Sequence, residues 1–303
     1  MNPWDEIASS VTNNLPALVA QACEFGLRAR QTPMVPAAAA TLLGIDASRV
    51  AVALISGATT EVGVGAVLDH GGWVLNGTVG AVPWSSDATT LLVAAHTEPR
   101  SSPSTPLGLF SVATERPGVI RTPRTSIGAR SMSHIQLAGV RLGDGARYDD
   151  GVRATWSSVA AALDQATIVA AAELAGLARG ALATAVAYAT HREQFGAPIA
   201  TYQALAHRLT DMAIDTESAE LAVEEAVDAP SSQNASRAKI IANEAAHRVT
   251  AGLHQINGGV GFYADQTPTA YYARALALRF EMGDSQIHRL RLAAEMAYPA
   301  IGL

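Results

Sequence analysis

Two glycine-containing segments in the C-terminal half of the sequence carry residue types suited to binding an anionic ligand. One spans residues 191–196 and the other spans residues 254–261. The planar guanidinium of Arg192 can donate two parallel hydrogen bonds to a phosphate group. Glycines let a backbone approach a diphosphate closely. These features predict a ligand site; the alternative is that Arg192 caps a helix and that the glycines end one.

Long alanine-, leucine- and valine-rich runs predict the helices that position these segments. Residues 160–190 carry few charges, which is typical of a helix buried on most sides. An amphipathic helix follows over residues 205–223, and a third begins after Pro230 and stops at Gly258-Gly259. Its candidate capping residues are Ser231, Ser232 and Asn234. Two shorter helices are predicted over residues 268–281 and 285–296.

The middle of the chain changes to short runs of β-branched residues separated by glycine, proline and asparagine. The dipeptides Asn76-Gly77 and Gly71-Gly72 predict turns. Residues 1–47 predict two or three short helices, interrupted near Pro33 and Pro36. The predicted strands cover residues 50–55, 62–69, 72–75, 90–95, 109–112 and 134–140. We therefore expect a mixed α and β fold with an N-terminal helical segment (1–48), a small central β-domain (49–150) and a C-terminal helical bundle (151–303).

Composition excludes several classes of function. A net charge of −6 without lysine or arginine clusters argues against nucleic acid as the main partner. The single cysteine, Cys23, permits no intrachain disulfide, so a cytoplasmic location is expected. The histidines show no metal-ligand spacing, so no metal site is predicted. Charges interrupt the longest apolar run and the start lacks a secretion signal, so we expect no membrane span and an oligomer that covers the wide apolar faces.

Three motifs occur in order over the last 150 residues or so. Arg192 begins Arg-x-x-Phe-Gly-x-Pro-Ile, which is followed by Gln203; Gln255 begins Gln-Ile-Asn-Gly-Gly-x-Gly; and residues 283–289 read Gly-Asp-Ser-Gln-Ile-His-Arg. Together they resemble the C-terminal signature of flavin-dependent acyl-CoA dehydrogenases. The resemblance implies that these residues hold the nucleotide end of a neighbouring subunit's FAD. The implied cofactor-binding residues are Arg192, Phe195, Gly196, Gln203, Gln255, Gly258, Gly259 and Gly261.

The positions that hold the flavin ring in this family differ here. The resemblance implies a Thr-Glu-Pro strand end and a Trp-Ile-Thr segment, but this chain has Leu-Ile-Ser-Gly-Ala at residues 54–58 and Ala81-Val82-Pro83. A methyl group thus stands where an aromatic wall is expected, and a proline stands where a hydroxyl donor is expected. Trp84 is shifted along the strand, which turns a side chain to another face. We therefore expect the ring site to lie in another chain.

The catalytic base of the family is also missing from its two usual positions. Removing the α-proton of an acyl-CoA requires a carboxylate, but Met282 and Ala166 occupy the positions that the resemblance assigns to it. Glu281 is the candidate for a displaced base, and its alternative is a solvated or salt-bridged side chain. Asp284 stands where the family often has threonine near FAD, and a carboxylate there would repel a diphosphate.

These retained and missing residues resemble the shortened, catalytically incomplete subunit of actinobacterial α2β2 acyl-CoA dehydrogenases that act on steroid-derived CoA thioesters. The resemblance implies FAD at the interface with a second acyl-CoA dehydrogenase subunit, an acyl-CoA substrate and an electron-transfer flavoprotein as electron acceptor. The short N-terminal segment suggests either a wide pocket for a bulky acyl group or no pocket in this chain. Two alternatives stay open: a self-sufficient homotetrameric enzyme with Glu281 as base, and a scaffold subunit without FAD.

Overall fold

The chain folds into two compact units, described by a computed structural model over residues 3–8, 10–53, 63–98, 107–128, 132–148, 156–263 and 267–295. The first unit comprises Met1–Asn13 and Pro33–Ala166 and contains the sheet. The second unit comprises Asn14–Thr32 and Thr167–Leu303 and is helical. Each unit therefore combines a part of the N-terminal segment with a longer part of the chain.

Three short helices begin the chain, as the sequence predicts: α1 (Pro3–Ala8), α2 (Leu15–Leu27) and α3 (Met34–Leu42). Asn14 caps α2, since its Oδ1 accepts a hydrogen bond from the backbone N–H of Ala17 at 3.0 Å. Pro33 precedes the first residue of α3 and Pro36 lies in its first turn, where a missing N–H leaves no helical hydrogen bond unmade. The prolines thus separate α2 from α3.

The first unit is built on a seven-stranded sheet. The strands are β1 (Val50–Ala53), β2 (Val64–Asp69), β3 (Gly72–Pro83), β4 (Thr90–His96), β5 (Leu107–Ala113), β6 (Val119–Pro123) and β7 (Met132–Gly143). Their order is β1-β4-β2-β3-β7-β6, with β5 on β4. Alternate apolar residues of these strands, such as Leu75, Leu91, Phe110 and Ile135, are fully buried in one core. The ends of the predicted strands at residues 54–55 and 62 lie outside the described residues.

The predicted turn at Asn76-Gly77 is wrong, because both residues lie inside β3. A Cβ atom on Gly77 would lie 2.1 Å from the carbonyl oxygen of Gly63, so glycine is required by the close approach of β2. Asn76 accepts a hydrogen bond on Oδ1 from the Gly139 N–H at 2.7 Å, which ties β3 to β7 at an irregular register. The sequence signal for a turn therefore reflects a β-bulge.

The turn predicted at Gly71-Gly72 is confirmed. His70 and Gly71 have φ angles of 47° and 82° and join β2 to β3 in a two-residue hairpin. Strand β6 was absent from the predicted set. It is an exposed edge strand that ends in Pro123, and a proline is tolerated there because an edge strand has unpaired N–H groups.

The second unit consists mainly of helices. Its first long helix, α4 (Trp156–His191), starts in the first unit and passes into the second unit at Thr167. The others are α5 (Gln203–Asp228), α6 (Ser232–Asn257), α7 (Thr267–Leu278) and α8 (Ser285–Glu295). Ser231 is the cap of α6, because its Oγ accepts the N–H of Asn234 at 3.1 Å. Gly258 ends α6 with a φ of 63°, as expected for a helix-ending glycine. The helix predicted over 268–281 ends three residues early, at Leu278.

Helix α2 packs unusually close to α4 within the helical unit. A Cβ atom on Gly176 would lie 2.2 Å from the Cys23 carbonyl oxygen, and one on Gly26 would lie 2.0 Å from the Glu173 carbonyl oxygen. Only glycine permits this backbone contact. Residues Ser157–His191 of α4 are long and apolar enough to cross a membrane by length and composition, but 83% of the most apolar stretch is buried inside the protein. Such burial is typical of the core helix of a folded domain.

A buried ionic cluster joins three segments of the helical unit. The Arg274 side chain is fully buried and donates from Nε and Nη2 to Oε1 of Glu173 at 2.8 and 2.6 Å. Its Nη2 also donates to the Thr32 carbonyl oxygen at 3.1 Å, and its Nη1 lies 3.6 Å from Oε1 of Glu281. Burial raises the pKa of Glu173 to about 7, although the Arg274 charge opposes that shift.

Replacing Arg274 by methionine should destabilise the protein strongly, because two buried carboxylates would lose their counter-charge. The expected loss is about 3–5 kcal/mol. Arg289→Met is the control, since the ion pair of Arg289 with Glu244 is exposed and should contribute at most about 1 kcal/mol. Urea unfolding followed by circular dichroism measures both variants. Equal unfolding midpoints for the two would contradict the structural role of Arg274.

Candidate functional site

The first predicted segment forms a two-residue hairpin after α4. Short strands at Glu193–Gln194 and Ala197–Pro198 flank a turn in which Phe195 and Gly196 have φ angles of 55° and 84°. A positive φ is strained for an aromatic residue, yet the Phe195 side chain is 97% exposed. The hydroxyl of Tyr202 donates to the carbonyl oxygens of Gln194 and Phe195 at 2.9 and 3.3 Å. The turn is thus held in a conformation that presents an aromatic ring to the solvent.

Arg192 lies between α4 and this hairpin, with an exposed side chain. Its backbone N–H donates to Tyr188 at 2.9 Å and its carbonyl oxygen accepts from Ile199 at 2.8 Å, so the backbone is fixed on both sides. Within the described residues, no hydrogen bond runs from its guanidinium to a carbonyl oxygen of α4. Arg192 thus closes the last turn of α4 through its backbone, while its guanidinium is exposed.

The other predicted binding residues lie at the ends of α5 and α6. Gln203 is the first residue of α5, and Gln255 is in the last turn of α6; both are exposed. Gly258 and Gly259 follow directly, and a Cβ atom on either would meet nothing within 4 Å, so a ligand can reach their backbone. Gly261 differs, because a Cβ atom there would lie 3.1 Å from that of Asn257. Packing within the chain is enough to explain Gly261.

All eight predicted binding residues gather at one end of the helical unit, where α4 ends, α5 begins and α6 ends. Arg179 of α4 pairs with Glu220 of α5, and Arg248 of α6 pairs with Asp215 of α5, as expected if successive helices are antiparallel. The donor set is an arginine, two amides and open glycine backbone. This set fits the adenosine diphosphate end of a dinucleotide, because the negative charge of the ligand lies on the diphosphate.

A cleft of about 680 Å³ lies between α5 and α6 and extends to Gln255. Arg208 and His207 line it from α5, while Arg248 lines it from α6 and donates to both oxygens of Asp215 at 2.8 and 2.6 Å. None of these three residues was among the binding residues predicted from the sequence. Their spacing on α5 and α6 could have revealed a shared groove, since antiparallel neighbours bring residues 208 and 248–255 to the same end.

The sheet unit does not offer a matching ring site in its described part. Ala81 has a φ of 48° at an irregular point of β3, and Pro83 has no N–H to donate. Trp84 is 1% exposed and packs edge-on against Trp4, with ring centroids 6.4 Å apart. Its indole is therefore part of the core and does not stack on a ligand. Residues 54–58, the other expected ring contact, lie outside the described residues.

The two expected base positions also lack a proton acceptor. Ala166 is fully buried in α4, and Met282 lies in the turn between α7 and α8 with a φ of 60°. Glu281 is 6% exposed and lies 3.6 Å from Arg274. It therefore has the salt bridge that was the alternative to a role as displaced base. Asp284 Oδ1 accepts the Ile287 N–H at 2.9 Å and thereby caps α8. The carboxylate at this position has a structural explanation.

Buried Lys239 fixes the turn that contains Glu281 and Met282. Its Nζ lies within 3.3 Å of Oδ1 of Asn243 and of the carbonyl oxygens of Leu278, Arg279 and Gly283. These bonds satisfy carbonyl groups left over at the end of α7, which explains why the helix stops before residue 281. Burial lowers the pKa of Lys239 to about 7, with Glu281 and Asp284 opposing the shift.

His288 holds the same turn from α8. Its Nε2 lies 3.0 Å from the Met282 carbonyl oxygen, and its Nδ1 lies 3.2 Å from Ser236 Oγ. Burial and the nearby Lys239 lower the pKa of His288 to about 4, so the ring is neutral. Nε2 therefore carries the proton and donates to Met282, while Nδ1 accepts from Ser236. Lys239 and His288 thus bond to the backbone of the turn from two different helices.

Other chemistry finds no site in the described part of the chain. No group of three or more histidine, cysteine, aspartate or glutamate side chains is placed there to hold a metal ion. Cys23 is partly buried, and its Sγ lies 3.4 Å from the Ala172 carbonyl oxygen. Burial raises the pKa of this thiol to about 11, so it is protonated and a poor nucleophile at neutral pH.

Comparison with known proteins points to one family. Residues 155–297 match the family model described as acyl-CoA dehydrogenase, C-terminal domain. The mitochondrial short-chain specific acyl-CoA dehydrogenase of Bos taurus is 30% identical over 237 residues, which are 75% of this chain and 57% of that protein. The chain spans 56–65% of the length of the first five curated relatives that it matches.

Two solved structures share the fold over nearly the whole chain. One is the ChsE4–ChsE5 complex from Mycobacterium tuberculosis, with a TM-score of 0.84, 24% identity, and coverage of 97% of this chain and 87% of that one. The other is the Tcur3481–Tcur3483 steroid ACAD, with a TM-score of 0.80, 27% identity, and coverage of 95% and 82%. The predicted mixed α and β fold with a helical C-terminal region is confirmed.

Replacing Lys239 by methionine should remove a pH dependence of stability. The folded chain releases the Lys239 proton at about pH 7, whereas the unfolded chain keeps it up to 10.5. Since the unfolded state then holds more protons, the wild-type chain gains stability as the pH rises from about 7 to about 10. The variant should lack this gain. Urea unfolding of both chains across that range measures it, and parallel curves for the two would show that Lys239 is not buried as described.

Proposed function

The chain belongs to the acyl-CoA dehydrogenase family, and from that premise we propose that it is the half-site subunit of a heteromeric, FAD-dependent acyl-CoA dehydrogenase. In this proposal it binds the nucleotide end of FAD, while a second acyl-CoA dehydrogenase chain supplies the flavin-ring site and the catalytic carboxylate. The complex introduces a 2,3-double bond into an acyl-CoA and passes the electrons to an electron-transfer flavoprotein. The observation that carries the proposal is the contrast between the two ends of the cofactor site.

The nucleotide end is retained. Members of the family bind FAD. When FAD is bound, it accepts a hydride from the substrate. The exposed Arg192 guanidinium and the open backbone at Gly258 and Gly259 suit its diphosphate. Gln203 and Gln255 add amide donors and acceptors, and the exposed Phe195 ring offers an apolar surface to the adenosine. We propose that these residues bind FAD across a subunit interface, since they lie at the surface of their own unit.

The reactive end is missing from the described residues. An isoalloxazine needs a flat wall and hydrogen-bond donors, but Trp84 is buried against Trp4 and Pro83 has no N–H. Proton abstraction needs a carboxylate, and the Glu281 carboxylate is buried and lies 3.6 Å from the Arg274 guanidinium, for which it is a counter-ion. A second chain that provides both parts would complete the site. We therefore expect one FAD for each pair of unlike chains.

The proposed assembly and substrate draw support from the two structural neighbours. Both are complexes of two different proteins, and one of them is a steroid ACAD. An α2β2 assembly acting on a bulky, steroid-derived acyl-CoA is the corresponding proposal for this chain, with a cytoplasmic location.

Flavin content tests the proposal. The chain should be colourless when it is purified alone, and it should form a yellow complex when it is co-expressed with an acyl-CoA dehydrogenase chain that carries the flavin-ring site and the catalytic carboxylate. Arg192→Ala should lower the flavin-to-protein ratio of that complex about tenfold, which corresponds to the loss of one charged hydrogen-bond donor to phosphate. Arg237→Ala, an exposed arginine at the other end of α6, is the control.

The possible outcomes separate the three interpretations. A yellow chain in the absence of any partner would support the self-sufficient homotetramer and contradict the proposal. A complex that stays colourless would support the scaffold interpretation. Full flavin occupancy in Arg192→Ala would remove that residue from the cofactor site while leaving the assembly intact.

Glu281→Gln should leave turnover of the complex within about threefold of wild type. The side chain stays similar in shape, and Arg274 keeps its closer contacts with Glu173. Dehydrogenation measured with an artificial electron acceptor checks this, and the thermal midpoint of the variant shows whether the fold is retained. A loss of about a thousandfold in kcat with an unchanged thermal midpoint would identify Glu281 as the base.

A further inference from the structure

The negative charge of the chain is concentrated on α5. This helix carries seven carboxylates, at residues 211, 215, 217, 220, 224, 225 and 228, against one arginine, Arg208, which gives a formal charge of −6. The whole chain also has a net charge of −6, so its remaining residues are balanced. An imbalance of this size on one helix marks a surface that attracts positive charge.

The outward side of α5 also exposes large apolar side chains. Ile214 is 60% exposed and Leu221 is 55% exposed. They are seven residues apart and therefore lie on the same side of the helix, two turns from each other. The opposite side is buried by Met212, Thr216 and Ala219. Two exposed aliphatic residues between carboxylates form an acidic, partly apolar stripe, which we call the α5 face and which consists of Ile214, Glu217, Leu221, Glu224, Glu225 and Asp228.

Neighbouring helices neutralise only a part of this charge. Arg248 pairs with Asp215, Arg179 pairs with Glu217 and Glu220, and Arg237 lies 3.4 Å from Glu225. Asp211, Glu224 and Asp228 form no ion pair with any described residue. The exposed pairs at 3.4 Å are also weak, because solvent screens them. The α5 face thus keeps a surplus of carboxylates around its apolar residues.

We propose that the α5 face is a docking surface for a basic, apolar-centred helix of the second subunit, and that its charge prevents it from pairing with the same face of another copy. This inference rests on the proposed function and adds what selects the partner. A symmetric contact between two copies would place carboxylates against carboxylates, which is strongly unfavourable. A partner with lysine or arginine around an apolar centre matches the surface in both charge and polarity. Charge on α5 then favours the unlike assembly over a homomer.

Charge reversal on the α5 face tests this inference with the complex itself. Glu224→Lys with Asp228→Lys removes two exposed carboxylates, and Asp87→Lys with Glu98→Lys makes the same change in charge on the sheet unit. Surface changes of this kind leave the fold intact, and circular dichroism confirms that. The dissociation constant of the co-expressed partner chain is measured for each variant at about 0.05 M and about 0.5 M salt.

The reversed α5 face should bind the partner at least tenfold more weakly at low salt and should lose most of the salt dependence, while the control variant binds like wild type. Ile214→Ser with Leu221→Ser should weaken binding at both salt concentrations, because it removes apolar contact and leaves the charge. Equal affinity of all variants would overturn the docking proposal. If carboxylates on the α5 face repel a second copy, charge reversal should not weaken self-association of the chain alone. Weaker self-association of the variant would therefore also overturn the docking proposal.

Flavin absorbance of the same complexes separates this proposal from the proposed function. A yellow complex whose affinity does not respond to the α5 variants refutes the docking surface and leaves the half-site function standing. A colourless complex whose affinity falls with the α5 variants refutes the half-site function and supports the docking surface.

Discussion

The buried guanidinium of Arg274 is the interaction on which the helical unit depends. It bonds to Glu173 of α4 and to the Thr32 carbonyl oxygen after α2, and it faces Glu281 in the turn after α7. A charge in such an interior is tolerated only when its partners surround it. This requirement fixes the turn and uses Glu281 as a counter-ion. The same contact that stabilises the fold therefore occupies Glu281, the carboxylate that the sequence suggested as a displaced base.

The two units give opposite answers about the cofactor. In the helical unit, exposed donors collect at the end where α4, α5 and α6 meet, and open glycine backbone lies beside them. In the sheet unit, the tryptophan closest to the expected ring position packs into the core, and a proline replaces a donor. A surface that suits the nucleotide half of FAD, without a site for the flavin ring in the described residues, is expected if a second polypeptide provides the ring site.

Local signals in the sequence were enough to predict much of this architecture. Helix-ending Gly258 and the cap at Ser231 follow from backbone chemistry that a sequence displays directly. Asn76-Gly77 misled because Gly77 has a positive φ inside a strand, at an irregular register, and a glycine of this kind is also typical of a hairpin turn. The early end of α7 could not be predicted, since it results from Lys239, forty residues away, bonding to the last carbonyl groups. Arg208 and Arg248 line a groove that forms when α5 and α6 pack, and in the sequence only their spacing on two successive helices points to it.

The most direct test of the central claim is a structure of the co-expressed complex with FAD and an acyl-CoA bound. The account predicts that the isoalloxazine and the catalytic carboxylate lie in the second chain and that the diphosphate lies at Arg192, Gly258 and Gly259 of this one. An isoalloxazine seated against Ala81 and Pro83, with Glu281 directed at the substrate α-carbon, would contradict it.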